Sequence, residues 1–164
     1  MHIKEKCKAS HISHLASPSF PALREDQCPV GWEAIGKECY FFDRESRNWE
    51  EAKNHCIELA GHLATVTSAE EDMMVREELK EQDITKVLFD ANKGKDETTW
   101  LTSFGMPLNF SRWGAGQENK NKTPIRRDRC GLLHTEHLDG WRNEPCTDYE
   151  MSVCSLHYEG KIIY

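Results

Sequence analysis

The cysteines constrain this chain more than any other feature of its sequence. Of the seven, six fall within or beside segments with a regular apolar pattern: Cys28, Cys39, Cys56, Cys130, Cys146 and Cys154. The seventh, Cys7, stands alone in a polar leader. An even set with one left over is typical of three disulfides plus a free or intermolecular thiol in an oxidising compartment. The spacing alone does not choose among the pairings, and the absence of any CxxC pair disfavours zinc.

Length and charge narrow the classes of function. The 164 residues suffice for one domain of ordinary size. A formal net charge of −7 argues against nucleic acid as a partner, because phosphate binding relies on clustered Lys and Arg. No apolar run is long enough to span a bilayer. No Ser-His-Asp triad, carboxylate pair or phosphate loop stands out, so the sequence predicts that the chain is not an enzyme.

Composition divides the chain into a leader (residues 1–27), a domain (28–157) and a short tail (158–164). The leader mixes Ser, Pro, His and charged residues without a period, which predicts a flexible stalk. Its Cys7 is placed to pair with its twin in a disulfide-linked homodimer, with a free or capped thiol as the alternative. Asn109 and Asn121 begin sequons and are candidate glycosylation sites.

Two segments have the periodicity of a helix. In the first, Asn48 and Glu51 have the spacing of an N-terminal cap ahead of an apolar stripe. In the second, Ser68 and Glu71 give the same signal. Short apolar segments broken by turns follow after a long polar loop, so the order of elements indicates an α+β domain.

A series of motifs stands in order along the domain: Cys28-Pro29-x-x-Trp32, Cys39-Tyr40-Phe41-Phe42, Trp49-x-x-Ala52-x-x-x-Cys56, Ala60-Gly61-His62-Leu63, Gly105-x-Pro107-Leu108, Trp113, Cys130, Trp141-x-x-x-x-Cys146 and Cys154. Together they resemble the C-type lectin-like domain family over roughly residues 28–157. The resemblance implies an α+β fold with two helices, two small antiparallel sheets and a long loop region. It also implies three disulfides: Cys28–Cys39, Cys56–Cys154 and Cys130–Cys146.

One strand departs from the family pattern. Where the family usually has W-I-G-L, this chain has Leu88-Phe89-Asp90-Ala91. A carboxylate in a central strand needs a polar partner, so we expect Asp90 to be hydrogen-bonded.

The family's calcium-dependent sugar site is degenerate here. Carried over from the resemblance, its five positions are Gln117, Asn119, Asp128, Arg142 and Asn143. Three carboxylates and two carboxamides become one carboxylate, three carboxamides and an arginine, although calcium prefers carboxylates. An Arg142 guanidinium about 4 Å from a divalent ion would be repelled by about 8 kcal/mol at an effective dielectric constant near 20. Glu118 also replaces the family proline. A cis bond costs little before Pro but about 3 kcal/mol before Glu, so we expect the loop to lack the geometry that aims the ligands. We therefore expect neither calcium nor any other cofactor.

The family's auxiliary calcium site has lost its chemistry as well. Its matching positions are Lys93, Glu97, Lys120, Asp128 and Arg129, three of them cationic. We expect the ligand to bind at the loop region instead, through Gln117, Glu118, Asn119, Lys120, Arg126, Arg127, Arg142 and Asn143. Cations along residues 91–129 would steer an acidic partner to this face: Lys93, Lys95, Lys120, Lys122, Arg126, Arg127 and Arg129.

Aromatic and histidine residues admit two interpretations each. Trp100, Trp113 and Trp141 could form a sugar platform, but core positions are favoured. His134 and His137 are three residues apart in a predicted strand, which places them on opposite faces.

Similar members of the family that lack calcium positions act as receptors on immune cells. The resemblance therefore implies the ligand-recognition domain of a type II cell-surface receptor that binds a cell-surface protein without calcium. Its membrane anchor would lie outside this chain, and a secreted relative is the alternative. The rival hypothesis is a carbohydrate-binding lectin, either calcium-dependent through a rearranged loop or calcium-independent for anionic glycans.

Overall fold

The computed structural model describes residues 28–93, 98–118 and 128–157. The α+β class is confirmed, with two helices and eight strands in that part of the chain. In order they are β1 (Glu33–Ile35), β2 (Glu38–Arg47), α1 (Trp49–Glu58), β3 (His62–Leu63), α2 (Ala69–Glu81), β4 (Lys86–Lys93), β5 (Trp100–Leu101), β6 (Arg129–His134), β7 (Arg142–Pro145) and β8 (Glu150–His157). Several predictions fall outside the described residues, namely those on the leader, the tail, Cys7, Lys95, Glu97, Asn119, Lys120, Asn121, Lys122, Arg126 and Arg127.

Both helices begin at the predicted caps. The Asn48 side chain accepts a hydrogen bond from the Glu51 backbone N–H at 2.9 Å, and the Glu51 carboxylate accepts one from the Asn48 N–H at 3.2 Å. Ser68 Oγ accepts from the Glu71 N–H at 3.1 Å. These side chains satisfy amide groups that have no partner within the helix, so they fix where each helix starts.

The strands form two antiparallel groups that meet in one sheet. The path runs β1-β2-β8-β4-β6-β7, with β3 beside β8 and β5 beside β4. Neighbours are antiparallel except β4 and β8, which pair in parallel at Leu88 and Ser152. The two small sheets expected from the sequence are therefore joined edge to edge. The β4–β6–β7 group carries the long loop region, which leaves β4 at Lys93 and returns at Arg129.

The three disulfides have the implied pairing. Cys28–Cys39 closes the first hairpin, Cys56 on α1 bonds to Cys154 on β8, and Cys130 on β6 bonds to Cys146 just after β7. The second and third hold a helix and the base of the loop region to the sheet.

A buried ion cluster lies between α2 and the sheet. The Asp72 carboxylate is fully buried and accepts a hydrogen bond from Trp141 Nε1 at 2.6 Å. It also pairs with Arg76 and Arg112, each at 3.0 Å. No sequence pattern indicated this cluster, because a charged residue on an amphipathic helix is normally assigned to the solvent face.

Arg76 also holds the turn between β6 and β7 to α2. Arg76 donates to the carbonyl oxygens of His134 and His137 at 2.8 and 3.0 Å. The two imidazole rings lie 4.3 Å apart between centroids, so the prediction of opposite faces is wrong. The strand ends at His134, and the turn brings His137 back beside it.

Asp90 has the polar partner that its position in β4 requires. Its carboxylate is fully buried and accepts hydrogen bonds from the backbone N–H of Ser103 at 2.6 Å and from Ser103 Oγ at 3.1 Å. Burial raises the pKa of Asp90 to about 6, against the opposing effect of the two Ser103 bonds. The bonds tie the turn at residues 102–106 to the sheet.

This raised pKa predicts that the domain is more stable in mild acid. The folded chain binds a proton at Asp90 with a pKa of about 6, whereas the unfolded chain binds it near 4. The resulting contribution of up to about 3 kcal/mol is complete below the unfolded pKa and is lost as the pH rises through about 6. Asp90→Asn should flatten the dependence, as measured by guanidinium unfolding at about pH 4.5 and 7.5. Glu33→Gln, at an exposed carboxylate, should leave the slope intact; an unchanged slope in Asp90→Asn would contradict the assignment.

Candidate ligand-recognition site

The turn at residues 114–118 lies against β7 and forms the last described part of the long loop before residue 128. The Gly114 N–H donates to the Trp141 carbonyl at 2.9 Å, and the Gln117 N–H closes the turn onto the Gly114 carbonyl at 3.0 Å. Gln117 Oε1 accepts from the Asn143 backbone N–H at 3.3 Å, and the Gln117 carbonyl accepts from Asn143 Nδ2. The structure thus brings together Gln117 and Asn143, as the resemblance implied.

Arg129 occupies the oxygen atoms of Asn143 that a calcium ion would need. Its Nε donates to Asn143 Oδ1 at 2.6 Å and its second terminal nitrogen donates to the Asn143 carbonyl at 3.0 Å. Burial lowers the pKa of the Arg129 guanidinium, but the group stays charged because arginine does not lose its proton in proteins. An ion bound to Asn143 Oδ1 would lie within about 4 Å of this charge and meet a repulsion of about 8 kcal/mol.

A second internal cation holds the loop at Glu118. Lys93 Nζ and Trp100 Nε1 donate to the Glu118 carbonyl at 3.2 and 3.1 Å. The ammonium also lies 5.5 Å from the centre of the Trp100 ring. Lys93 is buried, so it fastens the loop instead of adding positive charge to its surface. No cis peptide bond occurs among the described residues, which include the bond between Gln117 and Glu118.

Arg142 pairs with Asp139, a carboxylate that does not belong to the degenerate calcium set. Its terminal nitrogen donates to Asp139 Oδ1 at 2.7 Å, and Asp139 Oδ2 accepts from the Ala115 N–H at 3.2 Å. The Ala115 bond and the charge of Arg142 lower the pKa of Asp139. Asp139 therefore links β7 to the turn at residues 114–118.

The remaining carboxylate of the degenerate set, Asp128, is exposed and lies at the base of the loop, where its carbonyl accepts from the Cys146 N–H at 2.9 Å. No group of three His, Cys, Asp or Glu side chains suited to a metal occurs in residues 28–93, 98–118 and 128–157. Of the described carboxamides, Asn143 accepts from Arg129 and Gln117 accepts from Asn143. With Asp128 as the one carboxylate of the described positions, this set does not fit a divalent ion.

The three tryptophans form a cluster in and beside the core. The rings of Trp100 and Trp113 lie 4.1 Å apart between centroids, and those of Trp113 and Trp141 lie 5.3 Å apart. Trp100 and Trp141 are buried, and Trp113 is partly buried against the core. The preference for core positions over a sugar platform agrees with this packing.

Sequence reasoning placed Arg129 in the auxiliary calcium set and missed its contact with Asn143. A signal was present in the strand alternation. Gly131 pairs with Asn143, and Arg129 is two residues away on the same strand and so shares its face. Diagonal neighbours across antiparallel strands are within reach of a long side chain.

We predict that Arg129→Met destabilises the domain by about 1 to 3 kcal/mol, because it leaves two oxygen atoms of the buried Asn143 without these donors. Guanidinium unfolding measures the loss. Lys37→Met, at an exposed position in the first hairpin, should change the free energy of unfolding by less than about 0.5 kcal/mol. Equal effects of the two substitutions would show that Arg129 does not hold the site together.

Fold and site define a lectin-type domain with three internal disulfides, in which Arg129 donates to both oxygen atoms of Asn143. Residues 45–156 match the family model described as the lectin C-type domain. The chain belongs to the C-type lectin domain family.

The chain is similar to proteins that are named as lectins and to one that is named as an ice-structuring protein. Type-2 ice-structuring protein of Hemitripterus americanus is 26% identical over 152 residues, covering 92% of this chain and 83% of the relative. The structure of the calcium-independent C-type lectin SPL-2 from Saxidomus purpuratus is similar with a TM-score of 0.69 and 28% identity, over 81% of this chain and 96% of that chain. The carbohydrate-recognition domain of the mouse scavenger receptor C-type lectin has a TM-score of 0.69 at 23% identity, over 80% and 98% of the two chains.

The described residues contain no helix with the length and hydropathy that a membrane crossing requires.

Proposed function

We propose that this domain recognises its ligand without calcium. The observation that carries the proposal is the position of Arg129, whose guanidinium binds both oxygen atoms of Asn143. Lys93 supports it from the other side of the loop by binding the Glu118 carbonyl. In this proposal, the positive charges of Arg129 and Lys93 take the place of the calcium charge in the sugar-binding members.

We propose further that the domain is the ectodomain of a type II cell-surface receptor and that its ligand is a protein. A protein ligand is favoured because the turn at residues 114–118 is held by side-chain and backbone bonds, which gives a preorganised surface with little ordering cost on association. The exposed Asn109 fits a glycan-bearing extracellular face. A secreted protein is the alternative location, and the coding sequence upstream of Met1 distinguishes the two through the presence or absence of an apolar anchor.

The predicted attraction of an acidic partner loses two of its contributors, because Lys93 is buried and Arg129 is bound to Asn143. The neighbouring Arg142 is paired with Asp139. Only the cations outside the described residues are left to carry that steering role. The candidate contact residues of the described loop are therefore Gln117 and Glu118.

A calcium-independent lectin is the second candidate function. The similarity to the calcium-independent C-type lectin SPL-2 favours it. The experiment uses the soluble chain as a probe on a glycan array and on a panel of cells, each with calcium and with chelator. Cell binding that survives chelation, resists removal of surface glycans and is abolished by protease supports a protein ligand. Binding that follows the glycans supports the lectin hypothesis, and binding lost on chelation contradicts calcium independence.

The homodimer through Cys7 remains part of the proposal. A non-reducing gel of the full chain should show a dimer that disappears in Cys7→Ser, whereas the three domain disulfides are unaffected.

A further inference from the structure

A cleft of about 940 Å³ opens between the start of α1, the end of β4 and the segment that follows β7. Its size lies at the upper end of the range for ligand pockets, roughly 300 to 1,000 Å³. Of the degenerate sugar-site positions, its described lining contains Asp128 but neither Gln117 nor Asn143, so it overlaps that site only at one edge. No role assigned to this domain so far uses it.

The described lining combines apolar surface with neutral polar side chains, two carboxylates and the ammonium group of Lys93. Trp49, Leu101 and Cys146 contribute apolar surface, and Asp128 and Glu50 contribute carboxylates. This combination matches an amphipathic ligand with an apolar body and a cationic end.

Asp128 is the lining charge that is available to a ligand. Glu50 is paired with Lys53 at 2.7 Å, and the Lys93 ammonium donates to the Glu118 carbonyl at 3.2 Å. The exposed Asp128 carboxylate forms neither an ion pair nor a side-chain hydrogen bond with any residue of the described ranges. The degenerate calcium set therefore keeps one carboxylate, Asp128, that has no side-chain partner among the described residues, and it borders this cleft.

A hydrogen-bond acceptor lies in the same lining. Asn92 Nδ2 donates to the carbonyls of Leu101 and Thr102 at 3.2 and 3.3 Å, which fixes the orientation of the carboxamide. Asn92 Oδ1 accepts no hydrogen bond from the described residues. An incoming N–H group can use it together with the Asp128 carboxylate.

We infer that the cleft receives a lysine or arginine side chain of the protein ligand, with Asp128 as its counter-ion. The aliphatic stem packs against Trp49 and Leu101, and the charged end reaches Asp128. This inference rests on the proposed function, since it assumes a protein ligand. A sulfated or sialylated glycan fits less well because Asp128 would repel it, and a neutral sugar leaves the Asp128 charge unbalanced.

The test uses the full chain in chelator, titrated with the peptide acetyl-Ala-Arg-Ala-amide and followed by amide NMR shifts. The uncharged acetyl-Ala-Gln-Ala-amide and N-acetylglucosamine are the comparison probes. We expect the arginine peptide alone to shift the amides of Asp128 and Thr147, both in the cleft lining. Asp128→Asn should weaken its binding about tenfold or more, because a charge-assisted bond is lost.

Asp148→Asn is the matched control, since it removes the same charge from an exposed residue outside the lining. It should weaken binding by no more than about twofold. Equal weakening by the two variants would overturn the inference, as would equal binding of the two peptides or stronger shifts with N-acetylglucosamine. If the arginine peptide does not bind while cell binding in chelator persists, only the assignment of the cleft is wrong. If cell binding depends on calcium, the proposed function is wrong.

Discussion

Replacing Cys56 and Cys154 together by alanine is expected to lower the free energy of unfolding by about 4 to 5 kcal/mol. The bond joins α1 to β8 across a sequence separation of 98 residues, so its loss frees nearly the whole domain in the unfolded state. Both cysteines are buried beside Trp49 and Leu63, and the missing sulfurs also weaken that packing. Guanidinium unfolding without reductant measures the change.

The matched control is the double alanine variant of Cys28 and Cys39. Their separation is only 11 residues, so the expected loss is smaller, at about 3 kcal/mol or less. A larger loss for the hairpin bond than for the long-range bond would contradict this order.

The second large effect is expected for Asp72→Asn, at about 3 to 5 kcal/mol of destabilisation. The substitution keeps the shape of the side chain but removes the charge that balances Arg76, which is itself 7% exposed. It also weakens the bond from Trp141 Nε1, at one end of the tryptophan cluster. Unfolding curves and the near-ultraviolet circular dichroism of the tryptophans report the change.

Glu77→Gln removes a carboxylate from the exposed face of the same helix and should change stability by less than about 0.5 kcal/mol. If Asp72→Asn proves equally mild, the buried ion cluster does not hold α2 to the sheet.

The elements that follow from local patterns were predictable from the sequence. The helix caps at Asn48 and Ser68 depend on residues three positions apart, and the structure confirms both. The disulfide pairing came from the resemblance to a family and is also confirmed.

The interactions that sequence reasoning missed join residues distant in the chain. Asp72 and Trp141 are separated by 69 positions, and their contact depends on how α2 crosses the sheet. The single parallel pairing between β4 and β8 likewise depends on packing and not on the pattern of either strand. His137 was misplaced because the period of a strand was extended beyond the point where the chain turns.

The candidate site was partly predictable, because its positions could be matched while their contacts could not. Counting charges predicted the loss of two carboxylates, at Gln117 and Asn143, and of a third ligand at Arg142. The contact between Arg129 and Asn143 depends on the register of β6 against β7, which places the Arg129 side chain on the face of Asn143.

Thermal unfolding of the full chain in millimolar calcium chloride and in chelator tests the central claim most directly, with titration calorimetry in parallel. We predict that Tm changes by less than about 1 °C and that calcium gives no saturable heat, because Arg129 donates to Asn143 and Lys93 to the Glu118 carbonyl, and both cations would repel the ion. A rise in Tm of several degrees, together with a saturable calcium heat that Asp128→Asn abolishes, would contradict the account.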